Sequence, residues 1–331
     1  MKNISKALFI NFGGIGDEVL FLPTLQSFKN KYPNSKITLA LEPRSKSIQN
    51  LSPLIDEVLP IDIKSKNKYF ELLKLVLHAR KGKYDIIISS GGNKMISILL
   101  FLTGIKTKIG YNTGKLSEFL LTKAVPLVKN RYAAQMYHEL VKPLTQDEAK
   151  NPEIIVNPKP NIEKNSVLIH PGVSKMSVSK NMVKTYSPEK WTELIQKLID
   201  NGKKVYLVGG PDDKEYIDAI EKNFSQKNPN FVNLYGTTKN IMDLAKLIAQ
   251  KEILICCDSA PMHIGVAVGA KVLSIFGPTD EKKLIPASDK IIAITNTNCS
   301  CRPCLWDKRN TTCENPYCLD INIDEVLQYC W

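Results

Sequence analysis

Residues 253–280 admit few folds: Ile-Leu-Ile-Cys-Cys-Asp-Ser-Ala-Pro-Met-His-Ile-Gly-Val-Ala-Val-Gly-Ala-Lys-Val-Leu-Ser-Ile-Phe-Gly-Pro-Thr-Asp. Ile253 to Cys257 is a short unbroken apolar run, the pattern of a strand buried on both faces of a parallel sheet. Asp258 and Ser259 follow with side chains suited to capping a helix, so a helix is expected to begin there. Small residues (Ala260, Gly265, Ala267, Gly269, Ala270) let that helix lie close to the sheet. Val272 to Phe276 then forms the next strand, and Gly277-Pro278 ends it. The start of such a helix offers backbone N–H groups and the positive end of its dipole, which predicts an anionic ligand there.

Strand and helix patterns alternate through the rest of the chain. Ala7–Asn11 is read as the first strand, running through Phe12-Gly13-Gly14-Ile15-Gly16-Asp17 into a helix patterned by Val19, Leu20, Leu22, Leu25 and Phe28. Further strands are expected at 36–41, 57–61, 85–89 and 106–110, with a helix at 69–80. Proline-bearing residues 147–165 read as a linker. After it the plan restarts, with strands at 166–170, 203–208, 231–234, 253–257 and 272–275. The expectation is two doubly wound, Rossmann-like α/β domains, 1–150 and 151–331, with the C-terminal helix packing back on the first.

The first glycine turn is a poor dinucleotide fingerprint. Gly14-x-Gly16 lacks a third glycine at the required spacing, and no acidic residue ends the next strand, 36–41. It instead sets Asp17 at the start of a helix beside the carboxyl end of strand one, where open α/β sheets bind ligands. A helix cap is the alternative role for that carboxylate.

The charge is lopsided. Residues 1–150 hold 23 Lys+Arg against 12 Asp+Glu, and residues 151–331 hold 22 against 21. The basic half suits an anionic glycan, glycolipid or lipid surface. Nothing in it resembles a helix-turn-helix, zinc finger or RNA-binding strand, so nucleic acid is not expected. Asp17 and Glu18 interrupt any N-terminal apolar region, and Met95–Leu102 is too short to span a bilayer. A cytoplasmic protein is therefore expected, at most peripheral to the inner membrane. His78 and His138 fall in helical patterns and are expected to be structural. Cys256 and Cys257 read as small apolar residues of a buried strand. Cys299, Cys301, Cys304, Cys313 and Cys318 are spaced C-x-C-x2-C-x8-C-x4-C. Only the first side of that set is paired as zinc sites usually are, so zinc is the lesser expectation and free thiols in an irregular loop the greater.

Three stretches resemble glycosyltransferase family 9, the heptosyltransferases of lipopolysaccharide core assembly. Asp258-Ser259-Ala260-Pro261-Met262-His263, followed by Phe276–Asp280, is similar to the family's nucleotide-sugar site, with Ala260 where a Gly is usual. Gly16-Asp17-Glu18-Val19-Leu20-Phe21-Leu22-Pro23 resembles its N-terminal Gly-Asp-x-x-Leu-x-x-Pro element. Lys184-Thr185-Tyr186-Ser187-Pro188-Glu189-Lys190-Trp191 resembles Lys-x-Trp-x-x-Glu-x-Trp, with Tyr186 in place of the first Trp. The resemblance implies a GT-B architecture, two Rossmann-like domains facing across a cleft. It implies an inverting glycosyltransferase that needs no metal or cofactor and moves a sugar, by family a heptose from ADP-heptose, to a lipopolysaccharide-type or other envelope acceptor. Asp17 would be the general base and Lys184 the cation for the departing diphosphate. Donor contacts would fall on Gly14, Gly16, His170, Gly172, Lys184, Gly210, Asp213, Asp258, Ser259, Ala260, Met262 and His263. The other possibilities are a nucleotide-sugar 2-epimerase-like enzyme or a degenerate nucleotide-sugar binder.

Overall fold

The computed structural model describes residues 3–172, 182–224, 228–305, 313 and 316–331. Two units divide between Glu153 and Ile154. The first is built on β1 (Lys6–Ile10), β2 (Lys36–Leu41), β3 (Glu57–Pro60), β4 (Ile86–Ser89), β5 (Thr107–Tyr111) and β6 (Lys123–Val125). The second is built on β7 (Glu163–His170), β8 (Lys204–Leu207), β9 (Phe231–Asn233), β10 (Lys251–Cys257), β11 (Lys271–Phe276) and β12 (Ile291–Thr295). Every pairing is parallel. The orders, β3-β2-β1-β4-β5-β6 and β12-β11-β10-β7-β8-β9, are the same doubly wound topology used twice.

That topology fixes where ligands go. In each sheet the strand order reverses beside the first strand, between β1 and β4 and between β7 and β10. The helices on either side of the reversal lie on opposite faces and leave a crevice at the strands' carboxyl ends. Asn11 to Asp17 leave β1 at one such point. His170-Pro171-Gly172 leave β7, and Asp258-Ser259 leave β10, at the other.

The first helix, α1 (Ile15–Lys31), covers one face of the first sheet with Val19, Leu20, Leu22, Leu25 and Phe28. The expected strand-adjacent helix is α9 (Ala260–Ala267), and its small residues act as foreseen. A Cβ on Gly265 would lie 2.8 Å from both Leu254 Cδ2 and Val272 Cγ2, so only glycine lets the helix sit this close to β10 and β11.

Two expectations need correction. Residues 163–165 belong to β7 rather than to a linker, because Glu163 is held by Lys251 and by the Tyr206 hydroxyl (2.7 Å), which extends the strand. The short edge strands β6 and β12 were not foreseen. Within the second unit the terminal helix α11 (Ile323–Leu327) packs on the helix that follows the Lys184 segment. Ile323, Val326 and Leu327 are buried with Trp191, Leu194 and Leu198 of α6 (Pro188–Asp200), and Lys197 pairs with Asp324 at 2.8 Å.

Candidate active site

In the first unit the β1–α1 turn is shaped around Asp17. Asp17 is the third residue of α1, and its Oδ2 accepts the Gly14 N–H at 2.8 Å, satisfying one of the helix's free donors. A Cβ on Gly13 would lie 2.3 Å from Asp17 Cβ, so the turn closes on the aspartate only without a side chain there. Oδ1 has a longer contact, 3.4 Å from the Tyr137 hydroxyl, and the carboxylate is half-buried. One oxygen is thus fixed and the other is available. Tyr137, on α5 (Ala133–His138), is buried; desolvation, reinforced by the Asp17 charge, pushes its phenol well up, so it stays a protonated donor.

Glu18 is one position further along the helix and turns inward, where it is only 1% exposed. Burial drives its pKa well above the carboxylate range. Asn11 and the Gly13 backbone oppose this in part, and the Asp17 charge adds to it. Two neighbouring carboxyls therefore occupy opposite surroundings, Glu18 sealed in the core and Asp17 displayed at the strand end.

Residues not foreseen border this turn. A Cβ on Gly14 would sit 3.7 Å from the Arg44 guanidinium nitrogens. Arg44 Nε and Lys64 Nζ both donate to Glu42 Oε2, at 2.7 and 2.9 Å. An acidic residue does follow the second strand, contrary to expectation. It is buried and bound to two cations, so it anchors a basic rim rather than offering itself to a ribose. Lys64 is paired in this way, and the nearby Lys66 and Lys68 are exposed.

In the second unit, Lys184 Nζ lies 2.8 Å from Asp258 Oδ2, joining residues 74 positions apart. Burial pushes the Asp258 pKa up, but the Lys184 ammonium, with His263 and the Thr279 hydroxyl, more than offsets it and holds the carboxyl below its ordinary range. The segment carrying Lys184 is pinned from behind. Thr185 Oγ1 donates to the Pro171 carbonyl at 2.6 Å and accepts from Trp191 Nε1 at 2.9 Å, while Tyr186 packs on the Trp191 ring at 5.4 Å. The Tyr186 substitution is therefore a core replacement, with its ring buried and its hydroxyl making no hydrogen bond among the described residues.

The expected helix cap is not formed. The Ser259 hydroxyl turns back to the Cys257 carbonyl at 3.4 Å, and Asp258 is spent on Lys184. Pro261 has no N–H, and the Met262 N–H is engaged by the Ser259 carbonyl at 3.1 Å. This leaves fewer backbone donors at the start of α9 than anticipated. The Met262 side chain is wholly buried, whereas Ser259 and Ala260 are partly exposed.

His170 and Asp213 form a third group, with Nε2 and Oδ2 3.6 Å apart. Burial lowers the His170 pKa, and Asp213 counters this only in part, so the imidazole is neutral at neutral pH. Asp213 Oδ2 accepts the Gly210 N–H at 2.8 Å, and a Cβ on Gly172 would fall 1.7 Å from Asp213 Oδ1. Asp213 thus braces the β7 and β8 turns against each other. The same glycine-glycine-x-x-aspartate device builds both Gly13–Asp17 and Gly209–Asp213.

His138 and His78 bond to Ser27 and Tyr84, at 2.8 and 2.9 Å. Cys256 and Cys257 are buried, and desolvation raises both thiols, Cys257 to about 12. Cys299 and Cys301 approach to 3.3 Å between sulfurs, and burial lifts Cys318 to about 11. Among the described residues no group of three or more His, Cys, Asp or Glu is arranged to hold a metal.

The sequence profile of glycosyltransferase family 9 (heptosyltransferase) matches residues 72–314. The chain is 27% identical over 290 residues to lipopolysaccharide heptosyltransferase 3 of Escherichia coli, covering 84% of this chain and 85% of that one. Its fold is similar to a family 9 glycosyl transferase from Veillonella parvula (TM-score 0.74, 20% identity, 99% and 97% of the two chains). It is also similar to E. coli heptosyltransferase WaaC solved with ADP (TM-score 0.71, 18% identity, 98% of each). The architecture is GT-B, and the chain belongs to glycosyltransferase family 9, the heptosyltransferases.

Proposed function

We propose that this glycosyltransferase is an inverting enzyme that takes heptose from ADP-heptose, without a metal, and delivers it to a lipopolysaccharide-type acceptor on the cytoplasmic side of the inner membrane. The observation that carries the reading is Asp17, whose carboxylate is fixed through one oxygen and displayed through the other at the carboxyl end of β1. In the reaction the acceptor oxygen attacks the anomeric carbon while its proton passes to Asp17 Oδ1. The bond from that carbon to the diphosphate breaks on the opposite face, and the electron pair leaves with ADP, which inverts the configuration.

Lys184 supplies charge for the leaving group. Its ammonium spends one N–H on Asp258 and is still partly exposed, leaving donors for phosphate oxygens. His170 and His263 supply hydrogen bonds in this scheme, alongside the backbone of Gly172, Ser259 and Ala260. Gly14 and Gly16 shape the turn that carries Asp17. The first unit is then the acceptor-binding domain and the second the nucleotide-sugar-binding domain.

Thermal shift against ADP-heptose and GDP-, UDP- and dTDP-sugars tests the donor. At a hundred times its dissociation constant a ligand stabilises by about 2.7 kcal/mol. The expected result is stabilisation by the ADP-sugar, kept in Asp17→Ala and lost in Lys184→Ala. A shift with another nucleotide alone would overturn the donor, and an undiminished shift in Lys184→Ala would overturn the role of Lys184.

A further inference from the structure

Three helices of the first unit carry a surface on which none of the residues given a role in transfer lies. They are α2 (Lys68–Lys81), α3 (Lys94–Leu102) and α4 (Lys115–Leu120). Each joins strands that step the same way across the sheet, β3 to β4 to β5 to β6, so right-handed crossovers place all three on one face, opposite α1. Arg80 Nε donates to the Leu102 carbonyl at 2.9 Å, tying the ends of α2 and α3. Their inner sides already fill the core with Leu75, Val76, Ala79, Leu99 and Leu100.

The outer sides are also apolar. Phe70, Leu73 and Leu77 follow one another at i, i+3 and i+7, a stripe pointing away from the core. Phe70 is 67% exposed, Met95 63% and Phe119 85%, with Tyr69, Phe101, Leu102 and Leu116 also in the open. So much large apolar side chain on one helical layer exceeds the scattered exposure normal for a soluble surface. It is interleaved with exposed Lys66, Lys68, Lys74, Arg80, Lys81, Lys94 and Lys115.

Charge selects the occupant. Residues 61–120 hold 11 Lys+Arg and 4 Asp+Glu. All four acids accept hydrogen bonds from the chain itself: Asp62 from the Lys64 and Ser65 N–H groups, Glu71 from Asp62, Asp85 from Ser5 and Lys6, and Glu118 from Asn112. A second copy laid on this face would oppose like charge to like charge. A surface both apolar at shallow depth and negative at its rim fits it, and that is the interface of a bilayer containing anionic lipid.

We propose that the solvent face of α2, α3 and α4 docks on anionic membrane, with Phe70, Leu73, Phe101 and Phe119 entering the headgroup–acyl boundary and the lysines meeting lipid phosphates. Among the described residues no helix is long and apolar enough to cross a membrane, so the contact is peripheral. The proposal is independent of the donor sugar and of Asp17.

Co-sedimentation of the full chain with vesicles of three parts phosphatidylcholine to one part phosphatidylglycerol, free of any glycolipid, tests it. The wild type is expected to pellet with these vesicles, to pellet less with pure phosphatidylcholine, and to be released by high salt. Phe70→Ser/Leu73→Ser/Phe119→Ser and, separately, Lys66→Glu/Lys74→Glu/Lys81→Glu should each lower partitioning by at least about tenfold, with unchanged circular dichroism. A wild type that stays in the supernatant would overturn the proposal, as would variants that bind undiminished. So would sedimentation velocity showing a wild-type dimer that the serine variant turns into a monomer.

Discussion

Replacing Lys184 by alanine should reverse the way stability depends on pH. In the wild type the Asp258 carboxyl is held below its ordinary pKa, so its contribution is present above about pH 3.8 and lost as pH falls through the folded value. Lys184 is the largest lowering cause. Without it the upward push of burial faces only His263 and the Thr279 hydroxyl, and the folded pKa should rise above the unfolded one. The contribution is then complete at low pH and lost as pH rises through the raised value. Removing one partner of a buried pair costs about 3–5 kcal/mol, and the partial exposure of Lys184 favours the lower end, about 3 kcal/mol at neutral pH. For a domain of this size that is a fall in melting temperature of roughly 6–12 °C. Calorimetry of wild type and Lys184→Ala from about pH 4 to 8 should show a deficit that grows with pH. Lys184→Ala/Asp258→Asn should recover most of it and lose the pH dependence. A deficit constant with pH, or a double variant no more stable than the single, would refute the reasoning.

Glu18 provides the companion case. Its folded pKa is raised, so its contribution is complete below about pH 4.5 and lost as pH rises through the folded value. Glu18→Gln should match the wild type in acid and melt higher at pH 8, and melting curves at both values check it; equal curves at pH 8 would contradict it. Gly172→Ala puts a methyl 1.7 Å from Asp213 Oδ1 and should displace the carboxylate from the Gly210 N–H, costing about 2 kcal/mol by chemical denaturation. Adding Asp213→Ala should relieve the clash, and wild-type stability in the single variant would show the brace to be absent.

The parts legible in sequence were those written locally. Apolar runs such as Ile253–Cys257 gave the buried strands, and the glycine turn at 13–16 gave the strand-to-helix turn with Asp17 at its start. Gly265 was legible because close packing of helix on sheet leaves a small-residue signature. The edge strands β6 and β12 were missed, since three residues of Lys-Ala-Val carry no period and an edge position demands little burial. Side-chain pairing was not legible. Nothing near Asp258 marks Lys184 as its partner, and that pairing turned an expected helix cap into an ion pair. Likewise no local pattern separates the displayed Asp17 from the buried Glu18 beside it, beyond the 100° each helical residue turns. Glu42 lies one residue past β2, and only the structure reveals that it holds Arg44 and Lys64.

The most direct test is nucleoside diphosphate release from ADP-heptose with and without a heptose-accepting lipopolysaccharide core, comparing wild type with Asp17→Asn. Asparagine keeps an oxygen for the Gly14 N–H and removes the base. The account predicts release that requires acceptor, and a kcat lower by about 10²–10⁴-fold in Asp17→Asn with donor affinity unchanged. Release independent of acceptor, or a variant that turns over like the wild type, would contradict it.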